Sequence, residues 1–275
     1  MTTTLVKDLD INKIQFSNKM PMNNGGYMCY VNNPSLCSGK WYMQTPIMKA
    51  PFGLSKVNPF GNPAPKPGEQ PKVSLWLSFG ASRDPDVAAC HKKMKELDEF
   101  MLSSAVSNSV DWFGKQCSKD ILDEKYNKCV RSPNKPPTDG RAPFPDSMPL
   151  KIYCRGSGDD INPVDDLKLY EWDVDNDKCT QVDSSSIWDV IHKQSEVQVI
   201  FRINMVYFVG KQSWGLTMRA ETIRYIPKMM QPTGASQFLK VNTLLPPVKD
   251  DVEEGELADG EEYEEEEYEE VVEYV

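Results

Sequence analysis

Histidine is nearly missing from this chain: its 275 residues hold two, His91 and His192. Gly-x-Ser-x-Gly, Gly-x4-Gly-Lys-Ser/Thr and Gly-x-Gly-x-x-Gly are all absent. Nothing therefore marks a serine hydrolase elbow, a phosphate-cradling loop or a dinucleotide fingerprint. No two cysteines stand in Cys-x2-Cys spacing, and Cys90-His91 has no matching pair, which argues against structural zinc. Asp173-Val174-Asp175-Asn176-Asp177 opens like a calcium loop. Its sixth position is Lys178 and its twelfth Ser184, where Gly and bidentate Glu belong, so a β-turn is expected. No run approaches eighteen apolar residues. Met1–Asp8 lacks a charged segment followed by an apolar one, so no signal peptide is expected. Seven scattered cysteines, an odd number, and no usable Asn-x-Ser/Thr acceptor lead us to expect a reducing, intracellular compartment. Neither a cofactor nor a metal is expected.

What is present is charge, unevenly placed. Fifteen of the 41 acidic residues lie between Asp250 and Val275, where there is no Lys or Arg. The first 249 residues thus carry 31 basic against 26 acidic groups, a net of +5, while the whole chain is −10. A block of like charge cannot bury enough apolar surface to offset its ordering entropy, so residues 250–275 are expected to form a disordered acidic tail.

The body reads as mainly β with inserted helices. Residues 1–37 suggest short strands and turns, and Lys40–Met48 a strand. Pro59, Pro63, Pro65, Pro67 and Pro71 make residues 58–71 a surface loop. Val73, Leu75, Leu77 and Phe79 alternate toward one face of a half-buried strand. The period then changes. Val87, Cys90, Met94, Leu97 and Met101 step by three or four behind Asp84-Pro85, read as N-cap and first helical position. His91 is expected on this helix's solvent side. A second helix is expected over 118–130, with Ile121, Leu122, Tyr126 and Cys129 inward. Six prolines between Pro133 and Pro149 make residues 133–149 a second loop. Strands resume at 150–155 and 167–173, with a short helix at 186–193. Val197–Val209 and Trp214–Ile226 form a long hairpin rich in β-branched and aromatic residues. One domain over 1–249, with a helical insertion near 84–130, is the expected count: an antiparallel barrel or sandwich decorated by helices.

Three segments interleave cations with aromatic rings, the pairing that holds a single nucleic-acid strand by its phosphates and its stacked bases. The first supplies Lys40, Trp41, Tyr42, Lys49 and Phe52. The second supplies Lys151, Tyr153 and Arg155. The hairpin supplies Arg202, Lys211, Trp214, Arg219 and Arg224. In the tail, Tyr263, Tyr268 and Tyr274 stand among carboxylates, an array that mimics a nucleic acid in charge and in ring surface. Each strand residue, taken singly, also fits a plain core aromatic or a solvated arginine.

Tyr42-Met43-Gln44-Thr45-Pro46-Ile47-Met48-Lys49-Ala50-Pro51-Phe52-Gly53-Leu54, the alternating strand after it, the helical insertion, the 150–155 strand and the acidic end carry a resemblance. Together they resemble the phage T-seven-type single-stranded-DNA-binding proteins, in the form found in large nucleocytoplasmic DNA viruses. The resemblance implies a non-enzymatic, OB-fold-like antiparallel barrel that binds single-stranded DNA without sequence preference in replication, recombination or repair. It implies a tail that competes for the DNA groove and contacts replication proteins such as polymerase or helicase-primase. The phage members end in Phe after acids, whereas here Tyr274 is followed by Val275.

RNA in place of DNA, and a homodimer in place of a monomer, remain open at this level. So does location: host nucleus, cytoplasmic viral factory or virion, but no membrane. Two other classes compete, a virion-associated interaction protein and an acidic chaperone for basic proteins. A metal-dependent nuclease would draw on Asp159, Asp160, Asp165 or Asp166.

Overall fold

The computed structural model describes residues 3–23, 25–34, 41–56, 72–80, 82–133, 143–156, 160–210 and 213–227. Lys40, Lys211 and the acidic tail with Tyr263, Tyr268 and Tyr274 lie outside the described residues.

The chain is mainly β with a few helices. It begins with β1 (Thr3–Leu5), β2 (Gln15–Phe16), β3 (Met20–Pro21), β4 (Tyr27–Asn32), β5 (Tyr42–Gln44), β6 (Met48–Ala50) and β7 (Lys72–Ser78). Three helices follow, α1 (Val87–Ser107), α2 (Ser109–Phe113) and α3 (Lys119–Lys125). Then come β8 (Tyr126–Asn127), β9 (Ser147–Arg155), β10 (Asn162–Pro163), β11 (Lys168–Asp173) and β12 (Lys178–Val182). A single turn of helix, α4 (Ile187–Val190), precedes the long hairpin of β13 (Ser195–Val209) and β14 (Ser213–Ile226).

Five strands pair in a ring. β6 pairs with β7, β7 with β9, β9 with β14, β14 with β13, and β13 with β6. Every one of these contacts is antiparallel except the parallel one between β9 and β14. Alternation fills the inside: Leu75, Leu77, Met148, Leu150, Ile152, Val197, Val199, Phe201 and Ile223 are buried. β11 and β12 extend the sheet from β14, and β4 and β5 pair with β13 beside β6.

α1 buries Val87, Cys90, Met94, Leu97, Met101, Leu102 and Ala105, the helical stripe its sequence carries. Inside that stripe sits a carboxylate. Asp98 accepts from the Tyr126 hydroxyl at 2.8 Å and from the backbone N–H groups of Cys129 (2.8 Å) and Val130 (3.0 Å). Burial holds its carboxyl above the usual range against the pull of these donors. The clamp fixes the chain where it leaves the helices, so that Arg131 meets Ser147 in a two-way backbone bridge of 2.8 and 3.0 Å.

Several local expectations need correction. Asp84 does not cap α1; Asp86 holds that place, and the Asp84 carboxylate instead accepts from Ile47 N–H (3.0 Å) and Asp86 N–H (2.9 Å). α2, which left-handed Gly114 ends at a φ of 76°, was not expected. The second helix expected over 118–130 is the shorter α3, which stops at Lys125 because Tyr126 turns extended (φ −81°, ψ 122°) and begins β8. Ile121 is 46% exposed there, while Tyr126 and Cys129 are buried beyond the helix end. The strand expected over 40–48 breaks at Thr45, whose hydroxyl accepts from Val199 N–H at 2.9 Å. β9 begins at Ser147, so it contains Pro149. β14 joins β9 at Lys151, two residues on, so the missing proline N–H forfeits no bond to that strand. His91 is half-buried rather than freely solvated: it stacks on Phe79 at 4.5 Å and bonds Asp146 at 2.9 Å.

Candidate nucleic-acid interface

Partners in register across paired strands project from the same face. On the outside of the ring this rule assembles a definite set. Trp76 lies opposite Pro149, Ser74 opposite Lys151, and Lys72 opposite Tyr153. Lys151 in turn stands beside Arg219 of β14, and Lys49 beside Ser78 of β7. Along β9 the period of two adds Arg155 to the row of Lys151 and Tyr153.

A bulge carries the row along β14. Ala220 pairs with Phe201 and Thr222 with Ile200, leaving Glu221 as the extra residue. Without it, Arg219 and Arg224 would fall on opposite faces; with it they share one. Arg224 then lies opposite Tyr170 of β11.

Trp76 is the centre of the aromatic part. The Arg131 guanidinium sits 5.4 Å from its ring centroid, and Phe52 meets it edge-on at 6.4 Å. Phe52 is 53% exposed. Its position follows from Gly53, whose φ of +66° and close approach admit no side chain: a Cβ there would lie 2.5 Å from the His192 carbonyl carbon. Nearby, the Arg219 guanidinium lies 5.0 Å from the Tyr153 ring.

The cations differ in how they are held. Arg155 makes a two-pronged pair with Asp165, both contacts at 2.7 Å, and Arg219 contacts Asp166. One turn between β10 and β11 therefore offsets two arginines, and these two carboxylates are engaged by cations rather than gathered for a metal. Lys151 is different. Its Nζ donates to Ser74 Oγ at 2.7 Å, and burial, reinforced by the charges of Arg131 and Lys72, lowers its pKa to about 8. Such a lysine gains from a neighbouring anion, which relieves repulsion among three cations.

That pKa gives an expected result. Anion affinity should fall as pH rises through about 8, because Lys151 of the free chain is then losing its proton. Stability should move the other way: the unfolded lysine keeps its proton to about 10.5, so stability rises with pH between the two values. Oligonucleotide titrations at pH 7 and 9, with Lys151→Arg as the variant lacking this titration, check it. An equal pH response in both proteins would overturn the assignment.

The thirteen residues singled out by sequence divide. Lys151, Tyr153, Arg155, Arg219 and Arg224 come together on this face, Phe52 borders it beside Trp76, and Lys49 shares its edge through Ser78. Lys40 and Lys211 lie outside the described residues. Four are corrections. Trp41 is 1% exposed, with its indole N–H given to Val31 O at 3.2 Å. Tyr42 is buried. Trp214 is 1% exposed, donates to Leu122 O at 3.0 Å and stacks on Tyr126 at 4.4 Å. Arg202 shares the outer face, yet it stands between Tyr42 and Arg219 in register and is paired with Glu221 at 2.5 Å. All four are buried, so they present little surface to a base or a phosphate.

Lys72, Trp76 and Arg131 were missed. Trp76 had a signal: if Val73, Leu75 and Leu77 face inward, the tryptophan between them faces out. Arg131 had none, since its place depends on the Asp98 clamp.

Among the described residues Cys179 is the one exposed thiol. Of six described cysteines five are buried, and burial pushes Cys29 and Cys154 up to about 11 and Cys90 to about 12.

No family model matches the chain, and no curated protein matches it. Solved structures give a likeness in outline. One is gp2.5, a single-stranded DNA binding protein encoded by bacteriophage T7, with a TM-score of 0.40 and 11% identity over 77% of this chain and 100% of that one. A C-terminally truncated single-stranded DNA-binding protein from bacteriophage Enc34 gives 0.37 and 10%, covering 78% and 96%. The Enc34 protein itself gives 0.34 and 9%, covering 82% and 99%. These are phage proteins and lend nothing to a nucleocytoplasmic-virus assignment. At such scores and identities, the interface rests on its own residues.

Proposed function

We propose that this chain binds single-stranded DNA without sequence preference, through the outer face of β7, β9 and β14, and performs no catalysis. The observation that carries the reading is the interleaving on that face: Trp76 and Tyr153 alternate with Lys72, Lys151 and Arg131. Rings stack bases of any sequence, and cations hold the phosphates between them.

The strand ring supports an OB-fold barrel. Numbered along the chain as β6, β7, β9, β13 and β14, its second and third strands are those that carry Trp76, Lys72, Lys151 and Tyr153. An OB barrel holds oligonucleotides on that pair of strands and on the loops joining strands one to two and four to five. Here the first of those loops follows Phe52 and includes the proline-rich stretch; the second contains Lys211. Replication, recombination or repair is the setting we assign, in a virus and inside the cell.

The tail is the second part of the proposal. Its 15 carboxylates and three tyrosines, tethered to a body of net +5, stand at high effective concentration near any cationic groove. It competes with DNA and, when displaced, is free for replication proteins.

Fluorescent single- and double-stranded oligonucleotides, titrated with the full chain and with one ending at Lys249, test both parts. Both chains should prefer the single strand. The shortened chain should bind it more tightly at low salt, with the gap closing as salt rises and screening sets in. Equal affinities at every salt concentration would remove the competing tail. Failure of the shortened chain to bind single strands would remove the whole reading, and an acidic chaperone would take its place.

A further inference from the structure

β11 lies outside the five-strand ring, yet its exposed side carries the same chemistry as β7 and β9. Leu169 is fully buried and anchors the strand. Lys168, Tyr170 and Trp172 alternate with it on the other face, with Lys168 opposite Thr222 and Tyr170 opposite Arg224. The Arg224 guanidinium lies 5.8 Å from the Trp172 ring centroid and donates to Gln198 Oε1 at 3.4 Å. The indole edge is also set, because Nε1 donates to Asp177 Oδ1 at 3.3 Å in the turn before β12. That turn is itself fixed: both the backbone N–H and the side-chain amide of Asn176 donate to the Asp173 carboxylate, at 3.2 and 2.7 Å. Trp172 is half-buried, so one part of a ring held at its edge still meets solvent.

We infer that Trp172 and Tyr170, with Arg224 and Lys168, form a second base-stacking subsite on β11 that takes the continuation of a single strand already bound at Trp76 and Tyr153. The inference rests on the reading of the β7–β9–β14 face as the primary interface. Continuity comes from the bulge at Glu221, which brings Arg219 and Arg224 to one face and so joins the two aromatic groups by a line of arginines. From Trp76 to Trp172 the path covers eight steps along strands and, because β9 and β11 pair with the same edge of β14, a net sideways displacement of one strand spacing, roughly 27 Å in all. A tetranucleotide seated at Trp76 does not reach that far. A dodecanucleotide does, and it stays within the 4–16 nucleotides that one OB fold occupies. The added subsite makes the chain a reader of strand length.

Fluorescence anisotropy of labelled oligothymidylates, tetramer and dodecamer, against the full chain and its variants tests the idea. Trp76→Ala should weaken both lengths by about tenfold, within the range that one lost stacking ring costs. Trp172→Ala should weaken the dodecamer by about tenfold and leave the tetramer unchanged. Trp172→Phe, which keeps a ring but not the Asp177 bond, should retain most of the dodecamer affinity. Trp172→Leu, which keeps apolar cover without a π-face, should not. Full dodecamer affinity in Trp172→Leu would overturn the subsite and leave the ring as packing. Equal weakening of both lengths by Trp172→Ala would do the same, by showing damage to the fold. Unchanged binding in every variant, Trp76→Ala included, would instead count against the primary interface.

Discussion

Replacing Trp214 by alanine should lower stability by about 3–5 kcal/mol, the cost of emptying a large aromatic site in a packed core. The ring is enclosed by Trp112 at 6.3 Å, Phe113 at 5.8 Å and Tyr126 at 4.4 Å, and its removal takes away the indole N–H that Leu122 O accepts from. All three rings come from the helical segment and β8, so the cavity opens where the helices pack on the hairpin. Trp76→Ala should behave in the opposite way. Its ring stands on the outer face between Arg131 and Phe52, so the melt should change little while single-strand affinity falls by about 1–3 kcal/mol. Urea unfolding and oligonucleotide titration on both variants give the four numbers needed. A Trp214→Ala chain that stays as stable as the parent and loses DNA affinity would return Trp214 to the interface and remove it from the core.

That pair of tryptophans also shows what the sequence could and could not convey. Period-two alternation located the strands, because inward Leu75 and Leu77, or Phe201 and Ile203, recur at the pleat's own spacing. The same rule, applied strictly, places Trp76 outside. It was silent on Trp41 and Trp214, where a neighbouring lysine or serine made a core ring look like a surface one; burial there is decided by tertiary packing, on β4 for Trp41 and on α2 and α3, remote in sequence, for Trp214. Bulges defeat alternation altogether. Glu221 inserts one residue and moves Arg224 to the side of Arg219, a shift no single strand announces. Arg131 is further still from legibility, since Asp98, 33 positions earlier, sets its place through two backbone hydrogen bonds.

Arg202 shows how a correct face does not make a correct contact. As the cross-strand neighbour of Arg219 it was expected to meet phosphate, and register confirms that the two are adjacent. Two guanidiniums side by side on a β-ladder repel, and the bulge residue Glu221 answers both, at 2.5 Å from Arg202 and 3.4 Å from Arg219. The pair is nearly enclosed, with 10% of the Arg202 side chain and 14% of the Glu221 side chain exposed. Removing one member of a buried pair leaves the other charge without water and costs about 3–5 kcal/mol. Glu221→Gln should fall in that range, since it leaves two arginines facing each other. Arg202→Ala should sit at the lower end, because Arg219 still faces the carboxylate. Neither loss should flatten the dependence of log affinity on log salt, whereas Lys151→Ala should flatten it by about 0.7, one phosphate contact on a single strand. Denaturant melts give the first quantity and salt titrations the second. A flatter salt dependence in Arg202→Ala, with stability unchanged, would place Arg202 on the DNA and break the distinction between the arginine that holds the sheet and the lysine that awaits the phosphate.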